Sequence, residues 1–445
     1  MRTVTRKPLF ALRGAIADLD QRDARILFDR GFTADPHLRD RVSRILARVW
    51  EERDAALRAL ARELDGVELD ELEVPRERCA SALAEIDPAL RRVLQRAADN
   101  IARVHRAIPL MTTEIESEPG VVVGRRPDAL ERVGVYAPGG RAAYPSSVLM
   151  GAIPARVAGV REICLCSPPQ RETGLPSEVV LAAAALAGVD RVFAIGGAGA
   201  IAAMAYGTDC VPSVDRIVGP GNAYVAEAKL QVRNMVATDS PAGPSELLII
   251  ADGHADPELI AREMVAQAEH DTDACVVCIV VGGGSTEAID NLVRARLVDQ
   301  PRAMIIATAF AARGALLTAV SFDEALRFAE RYAPEHLMLA ARDAEALLPR
   351  VRNAGTVFVG ASASVTFGDY MSGANHVLPT GGLARCYSGL STLDFVRWTT
   401  YQRVSPPAAS RLADDVARFA ESERLTGHAD AARAWSASAN VEVGR

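Results

Sequence analysis

A chain of 445 residues with a net charge of −7, about half apolar and a quarter charged, has the balance of a folded protein large enough for several domains. Charges of both signs are interspersed and no basic stripe with interleaved aromatics occurs, which excludes an electrostatically driven nucleic-acid binder. No apolar run reaches membrane-spanning length and the opening MRTVTRKPLF holds no signal-peptide core, so a cytoplasmic protein without membrane partners is expected.

Residues 1–30 are short and mixed. Between 36 and 107 apolar residues recur at three and four spacing with charges opposite, which predicts helices, and Gly66 marks a stop. The character changes near Val121. Strand-like runs at Val133–Tyr136, Glu162–Cys166, Val192–Ile195 and Arg216–Val218 alternate with helices at 148–157, 177–187, 198–205 and 223–232. The alternation then repeats, with strands at 247–251, 275–281, 304–307, 336–339 and 356–359 and helices at 257–269, 286–297 and 322–330. Strands and helices in this order predict parallel sheets. The expected fold is α/β, with two Rossmann-like parallel-sheet domains, one inserted in the other. A segment 1–30 leads into a discontinuous domain, 31–133 with 246–388, its early elements being the helices before Val121. The inserted domain is 134–245. The tail 389–445 reads as helical with no sheet to join, so it must pack on something, a partner subunit being one candidate.

The cationic charge is nearly all arginine, with Lys7 and Lys229 the only lysines, so a Schiff-base mechanism would have to use one of these two. Seven cysteines and no signal peptide read as a reduced chain. Cys275 and Cys278 have the spacing of a zinc or redox pair. They lie in an apolar β-branched run without a second such pair, so they read as small hydrophobes on a buried strand.

Three glycine turns follow predicted strands: Pro138-Gly139-Gly140, Gly197-x-Gly199 and Gly219-Pro220-Gly221-Asn222. Such turns let backbone N–H groups approach an anion at a helix N-terminus. Gly197-x-Gly199 alone reads equally well as close helix–sheet packing, but three turns together favour a ligand-binding edge. Gln267 and His270 stand three apart at a helix end, and a Gln oxygen with a His nitrogen suits zinc; the bland reading is a structural pair. Pro334-Glu335-His336 places a carboxylate beside an imidazole, an acid/base set or a surface pair. The run from Gly368 to Gly382 is a long glycine-dense loop with Asp369, Asn375 and His376, and such loops usually carry function. Glu423 and His428 lie in the tail. His37, His105 and His254 read as surface or helix residues.

Taken together, VGVYAPGGRAAYPSSVLMGAIPARVAGV, AIAAMAYGT, VDRIVGPGNAYVAEAK, AGPSE, QAEHD, APEHL, NAGTVF, GDYMSGANHVLPTGG and ERLTGH, in this order, resemble the histidinol dehydrogenase family over nearly the whole chain. The resemblance implies a zinc-dependent oxidation of L-histidinol to L-histidine through histidinaldehyde with two NAD, the last step of histidine biosynthesis. It implies one zinc per subunit on Gln267, His270, Asp369 and His428, and an acid/base pair of Glu335 and His336. It further implies substrate contacts from Ser245, His376 and Glu423 beside the metal ligands and His336, and NAD contacts from Tyr136 and Asn222. It also implies a homodimer in which the tail enters the partner's site. Gly199 departs from the family, which commonly has a Gln there that touches NAD, so that contact is in doubt. Competing readings are a paralogous dehydrogenase of another polyol or amino alcohol, such as a sulfopropanediol, a zinc hydrolase on the same ligands, and a non-catalytic binding protein.

Overall fold

The computed structural model describes residues 8–30, 35–139 and 143–436. Lys7, and Gly140 of the first glycine turn, lie outside them. The strands are, in order, β1 (Leu12–Ala15), β2 (Glu73–Val74), β3 (Thr113–Glu118), β4 (Val121–Ala129), β5 (Arg132–Tyr136), β6 (Glu162–Ser167), β7 (Arg191–Ala194) and β8 (Arg216–Val218). They continue with β9 (Ala237–Thr238), β10 (Glu246–Ala251), β11 (Cys275–Val281), β12 (Ala315–Ala319), β13 (His336–Ala340), β14 (Thr356–Val359) and β15 (Val396–Val404).

Residues 1–108 and 130–395 form one compact unit, built on two sheets of the same design. The first runs β2-β7-β6-β5-β8-β9 and the second β1-β12-β11-β10-β13-β14. All neighbours are parallel except β2, which runs antiparallel to β7. In each, an earlier stretch of chain supplies one edge strand, β2 or β1; the chain then enters at a central strand, β5 or β10, winds outward to one side, returns and winds outward on the other. The strand order therefore reverses once, at β5/β8 and again at β10/β13, and ligands of doubly wound sheets bind at such points. The central strands are continuous apolar runs because helices cover both faces: every residue of Glu246–Ala251 and Cys275–Val281 is buried. Cys275 and Cys278 are thus small buried side chains on β11.

The helices between 36 and 106 do not belong to the sheet of 246–388, as expected from the sequence, but to the other. Val42, Val49, Leu57 and Ile101 share one buried cluster with Val133, Ile163 and Ala202, and β2 from the same segment pairs with β7. Residues 8–30 are not a separate lead: β1 joins β12, and Leu12 and Leu27 lie in the core of the second sheet. The nesting is therefore displaced, with the inserted part beginning before residue 40 rather than at 134. Two element assignments also change. The run at 304–307 lies in a helix, Ala303–Arg313, and the strand is β12, just beyond Gly314. A short apolar run does not declare its own period.

A second unit comprises 109–129 and 396–445. Its described part is the antiparallel sheet β15-β4-β3 followed by the helices Pro406–Ser422 and Thr426–Ser436, which meet through Ala417, Ala420 and Ala429. The tail expected to be helical with no sheet to join thus opens with a nine-residue strand paired along β4. No helix among the described residues is long and apolar enough to cross a membrane.

Candidate active site

Two places in the first unit gather polar side chains. One lies at the amino ends of β10 and β13. Ser245 and Glu246 enter β10, and Pro334-Glu335 enters β13 after Ala333, which holds a left-handed backbone at φ 46°. Gly355 is required beside this turn, because a Cβ there would stand 2.6 Å from the Glu335 carbonyl oxygen.

From these strand ends a relay can be followed atom by atom. The Gln267 amide donates to Ser245 Oγ at 2.6 Å, and the Ser245 hydroxyl donates to Glu335 Oε2 at 2.7 Å. Since Ser245 must give its only proton to the carboxylate, its oxygen accepts from Gln267, which leaves the Gln267 carbonyl oxygen without a hydrogen bond among the described residues. The Glu246 N–H also donates to Glu335 Oε2, at 2.7 Å. His336 Nδ1 stands 2.9 Å from the Glu246 carbonyl oxygen and 3.4 Å from Glu335 Oε2. Both are acceptors, so Nδ1 carries a hydrogen and Nε2 is the exchanging nitrogen. Among the described residues Nε2 is buried without a hydrogen-bond partner, 3.7 Å from Asp369 Oδ1. His376 Nδ1 lies 3.1 Å from the Asp369 carbonyl oxygen.

Charge follows from this geometry. Burial works against an imidazolium at His336, but the Glu335 and Asp369 carboxylates outweigh it and push the group up to about 9. Burial also works against the Glu335 carboxylate, yet His336, the Glu246 N–H and Ser245 hold it below its ordinary value. Burial keeps His376 below the usual histidine range.

The structure thus brings Ser245, Gln267, Glu335, His336, Asp369 and His376 into one chain of contacts. His270 follows the helix Pro257–Ala268, is exposed, and is held through its backbone to Gln267. Glu423 and His428 belong to the second unit, where both are exposed. Among the described residues no three His, Cys, Asp or Glu side chains are gathered closely enough to hold a metal by themselves. The donor types fit zinc nonetheless: an unused Gln oxygen, a half-buried Asp carboxylate and an exposed imidazole.

Sequence reasoning missed the support behind this relay. Arg30 pairs with Glu246 Oε2 at 2.5 Å and lies over the Tyr332 ring, 3.4 Å from its centroid. Glu246 in turn accepts the Gly381 N–H at 2.8 Å and the Glu335 N–H at 3.3 Å. One buried carboxylate therefore ties together the entries of both strands and the loop that follows Asp369. Asn375 anchors that loop by donating to the Met150 carbonyl at 2.8 Å.

The second place is a cleft of about 760 Å³ at the carboxyl edge of the first sheet, lined by residues that follow β5, β6, β7 and β8. This volume is that of a small-molecule or cofactor site. Tyr136 and Asn222 both line it. The Tyr136 hydroxyl accepts the Gly197 N–H at 3.0 Å, and burial pushes the phenol up to about 12. Asn222 Oδ1 accepts the N–H groups of Tyr224 and Val225, at 3.0 and 3.2 Å, which leaves its amide N–H₂ available. Gly199 is buried behind the cleft wall; a Cβ there would come 3.1 Å from Leu60 Cδ1. Gly219, at φ 113°, passes so close to Tyr136 that a Cβ would lie 2.1 Å from the Tyr136 carbonyl oxygen. Lys229, the other group unforeseen at this site, donates to Asp239 Oδ1 at 2.6 Å and to the Gly219 carbonyl at 2.5 Å, while Asp239 Oδ2 accepts the Gly219 N–H at 2.8 Å. The only signal for it in the sequence is a lysine kept in a chain that otherwise uses arginine.

An acid/base relay and a dinucleotide-sized cleft at a sheet switch point are the equipment of a nicotinamide-dependent oxidoreductase. The family model described as histidinol dehydrogenase matches residues 29–435. Curated histidinol dehydrogenases from Natronomonas pharaonis and Methanosarcina mazei are 48% and 44% identical, each over 94% of this chain and 97% and 96% of their own length. One from Pseudomonas syringae pv. tomato is 44% identical over 90% of this chain and 89% of its own. The crystal structure of histidinol dehydrogenase from Elizabethkingia anophelis superimposes with a TM-score of 0.92 at 33% identity, covering 98% of this chain and all of that one. The chain is an NAD-dependent oxidoreductase acting on a CH–OH group. It belongs to the histidinol dehydrogenase family.

Proposed function

We propose that the chain oxidises L-histidinol to L-histidine in two steps, through histidinaldehyde, as a zinc-dependent cytoplasmic homodimer at the end of histidine biosynthesis. The observation that carries this reading is the buried relay Gln267–Ser245–Glu335–His336, which ends on an unpartnered His336 Nε2 facing Asp369. With Nδ1–H held on the Glu246 carbonyl, Nε2 of the neutral ring takes the substrate hydroxyl proton; a cation held by Asp369 would favour that neutral form by cancelling one of the carboxylates that keep the ring protonated. NAD supplies the hydride acceptor for each oxidation, in the cleft bearing Tyr136 and Asn222. Gln267, His270 and Asp369, with His428 of the tail, would hold zinc, which supplies a Lewis acid that anchors the imidazole and amine of the substrate. Glu335 accepts the proton of the water that hydrates the aldehyde. Ser245, His376 and Glu423 complete the substrate contacts, and the Glu423 carboxylate suits the substrate ammonium. The exposure of Glu423 and His428 on the second unit supports a tail that serves a partner's site.

The test is NADH formed from limiting L-histidinol, before and after removal of metal with a chelator. Two NADH per histidinol, abolished by chelation and restored by zinc, is expected. A stable yield of one would mean that the chain stops at the aldehyde and is a simple alcohol dehydrogenase.

A further inference from the structure

The cleft at the carboxyl edge of the first sheet contains a carboxylate that nothing among the described residues answers. Asp65 ends the short helical turn Ala61–Asp65 and lines the cleft together with Tyr136, Gly197 and Asn222. It is half-buried, and no hydrogen bond or ion pair reaches it among the described residues. Glu63, two residues earlier, has by contrast both oxygens on Arg48 at 3.0 Å. Burial alone pushes Asp65 up to about 6, so at neutral pH it is an anion with an incomplete set of donors.

What surrounds it narrows what can answer it. Leu57, Leu60, Ile195 and Pro168 provide apolar walls on which a flat base can lie, and Arg41 and Arg44 bring positive charge to the same cleft. In doubly wound nucleotide folds a carboxylate near the end of the second strand accepts the adenosine ribose hydroxyl. Here that strand is β6, which ends in Ser167 and is followed by Pro168 and Pro169, with no acid. Asp65 brings a carboxylate to this cleft from outside the sheet.

We propose that Asp65 accepts the vicinal hydroxyls of the adenosine ribose of the dinucleotide, and so selects NAD over its 2′-phosphorylated counterpart. The inference rests on the reading of this cleft as the NAD site. A carboxylate is acceptor-only and has two oxygens, which match two adjacent O–H donors. A 2′-phosphate would instead set nearly two further negative charges beside it. Arg41 and Arg44 are then left to meet the pyrophosphate.

The experiment is calorimetric titration of wild type and Asp65→Asn with ADP-ribose and with its 2′-deoxyadenosine analogue, with KM measured for NAD and NADP on both proteins. Asp65→Asn is expected to weaken ADP-ribose by about 10- to 100-fold, from the loss of charge-assisted hydrogen bonds. The loss should shrink to a few-fold, on the order of 3, for the 2′-deoxy analogue, because one partner is already gone. The KM preference for NAD over NADP should narrow in the variant. Equal ADP-ribose binding by the two proteins would overturn the role of Asp65 and leave the cleft as the NAD site. An equal loss for both nucleotides would make Asp65 structural, and would also overturn it. Wild type that fails to bind ADP-ribose at millimolar concentration would remove the reading of the cleft, and the proposal with it.

Discussion

Glu335 has two oxygens in different situations. Oε2 is held by the Ser245 hydroxyl and the Glu246 N–H, each at 2.7 Å, whereas no hydrogen bond or ion pair reaches Oε1 among the described residues. The first oxidation needs a base for the substrate hydroxyl, and the second needs a water made nucleophilic. Glu335→Gln keeps the shape and the Oε2 contacts but removes the basic oxygen. We expect conversion of histidinaldehyde to histidine to fall by about 10²–10⁴-fold, the usual yield of a general base, and the first oxidation to fall much less. Single-turnover rates from histidinol and from histidinaldehyde measure both; equal losses would reassign Glu335 to orienting His336. The residues that the structure gathers were legible as candidates because unusual types in turns stand out: Gln267, Glu335, His336, Asp369 and His376 all stand at element ends or in a glycine-rich loop. Their supports were not. Arg30 is one arginine in an arginine-rich chain, and nothing local marks it as the buried partner of Glu246, more than two hundred residues away. Asp65 reads as a helix-end acid until the cleft around it is known.

At the scale of elements, periodicity identified the helices between 36 and 106 but not their address. An amphipathic helix declares that one face is buried, not which sheet buries it, and here Val42, Leu57 and Ile101 chose the first sheet. The turn Gly219-Pro220-Gly221-Asn222 shows what an element-level reading can add. It is welded to β5 by the close approach of Gly219 to Tyr136, and pinned from behind by Lys229 and Asp239. Both partners of this ion pair are nearly buried, so removing one strands the other. Lys229→Ala is expected to cost about 3–5 kcal/mol of stability in a denaturant melt, as for a broken buried pair. Its KM for NAD should also rise while its affinity for histidinol holds, since the turn carries Asn222 and the relay lies on the other sheet. A variant that lost both affinities together would show that the pair supports the whole fold and not this turn.

For the molecule as a whole, the question is what the second unit does. Its helices meet through three small alanines and leave Val416, Phe419 and Trp435 exposed, at 46%, 70% and 52%, a display of large apolar side chains that implies a covering surface. The alternation of strands and helices told of two parallel sheets. It hid the three-stranded sheet β15-β4-β3, because β4 and β15 are separated by 266 residues of chain between Ala129 and Val396 and antiparallel pairing at that distance leaves no local trace. If the tail serves a partner's site, two variants that no longer form histidine must rescue each other in histidine formation. In a mixed dimer of Glu335→Gln and His428→Ala subunits, one site carries both lesions and the other carries neither. The mixed dimer then holds one intact site of two, so the doubly tagged fraction should show about half of wild-type activity. If each site were built from a single subunit, both sites of the mixed dimer would still carry one lesion and no activity would return. Co-expression of the two variants under different tags, with activity measured on the doubly tagged fraction, separates the two architectures.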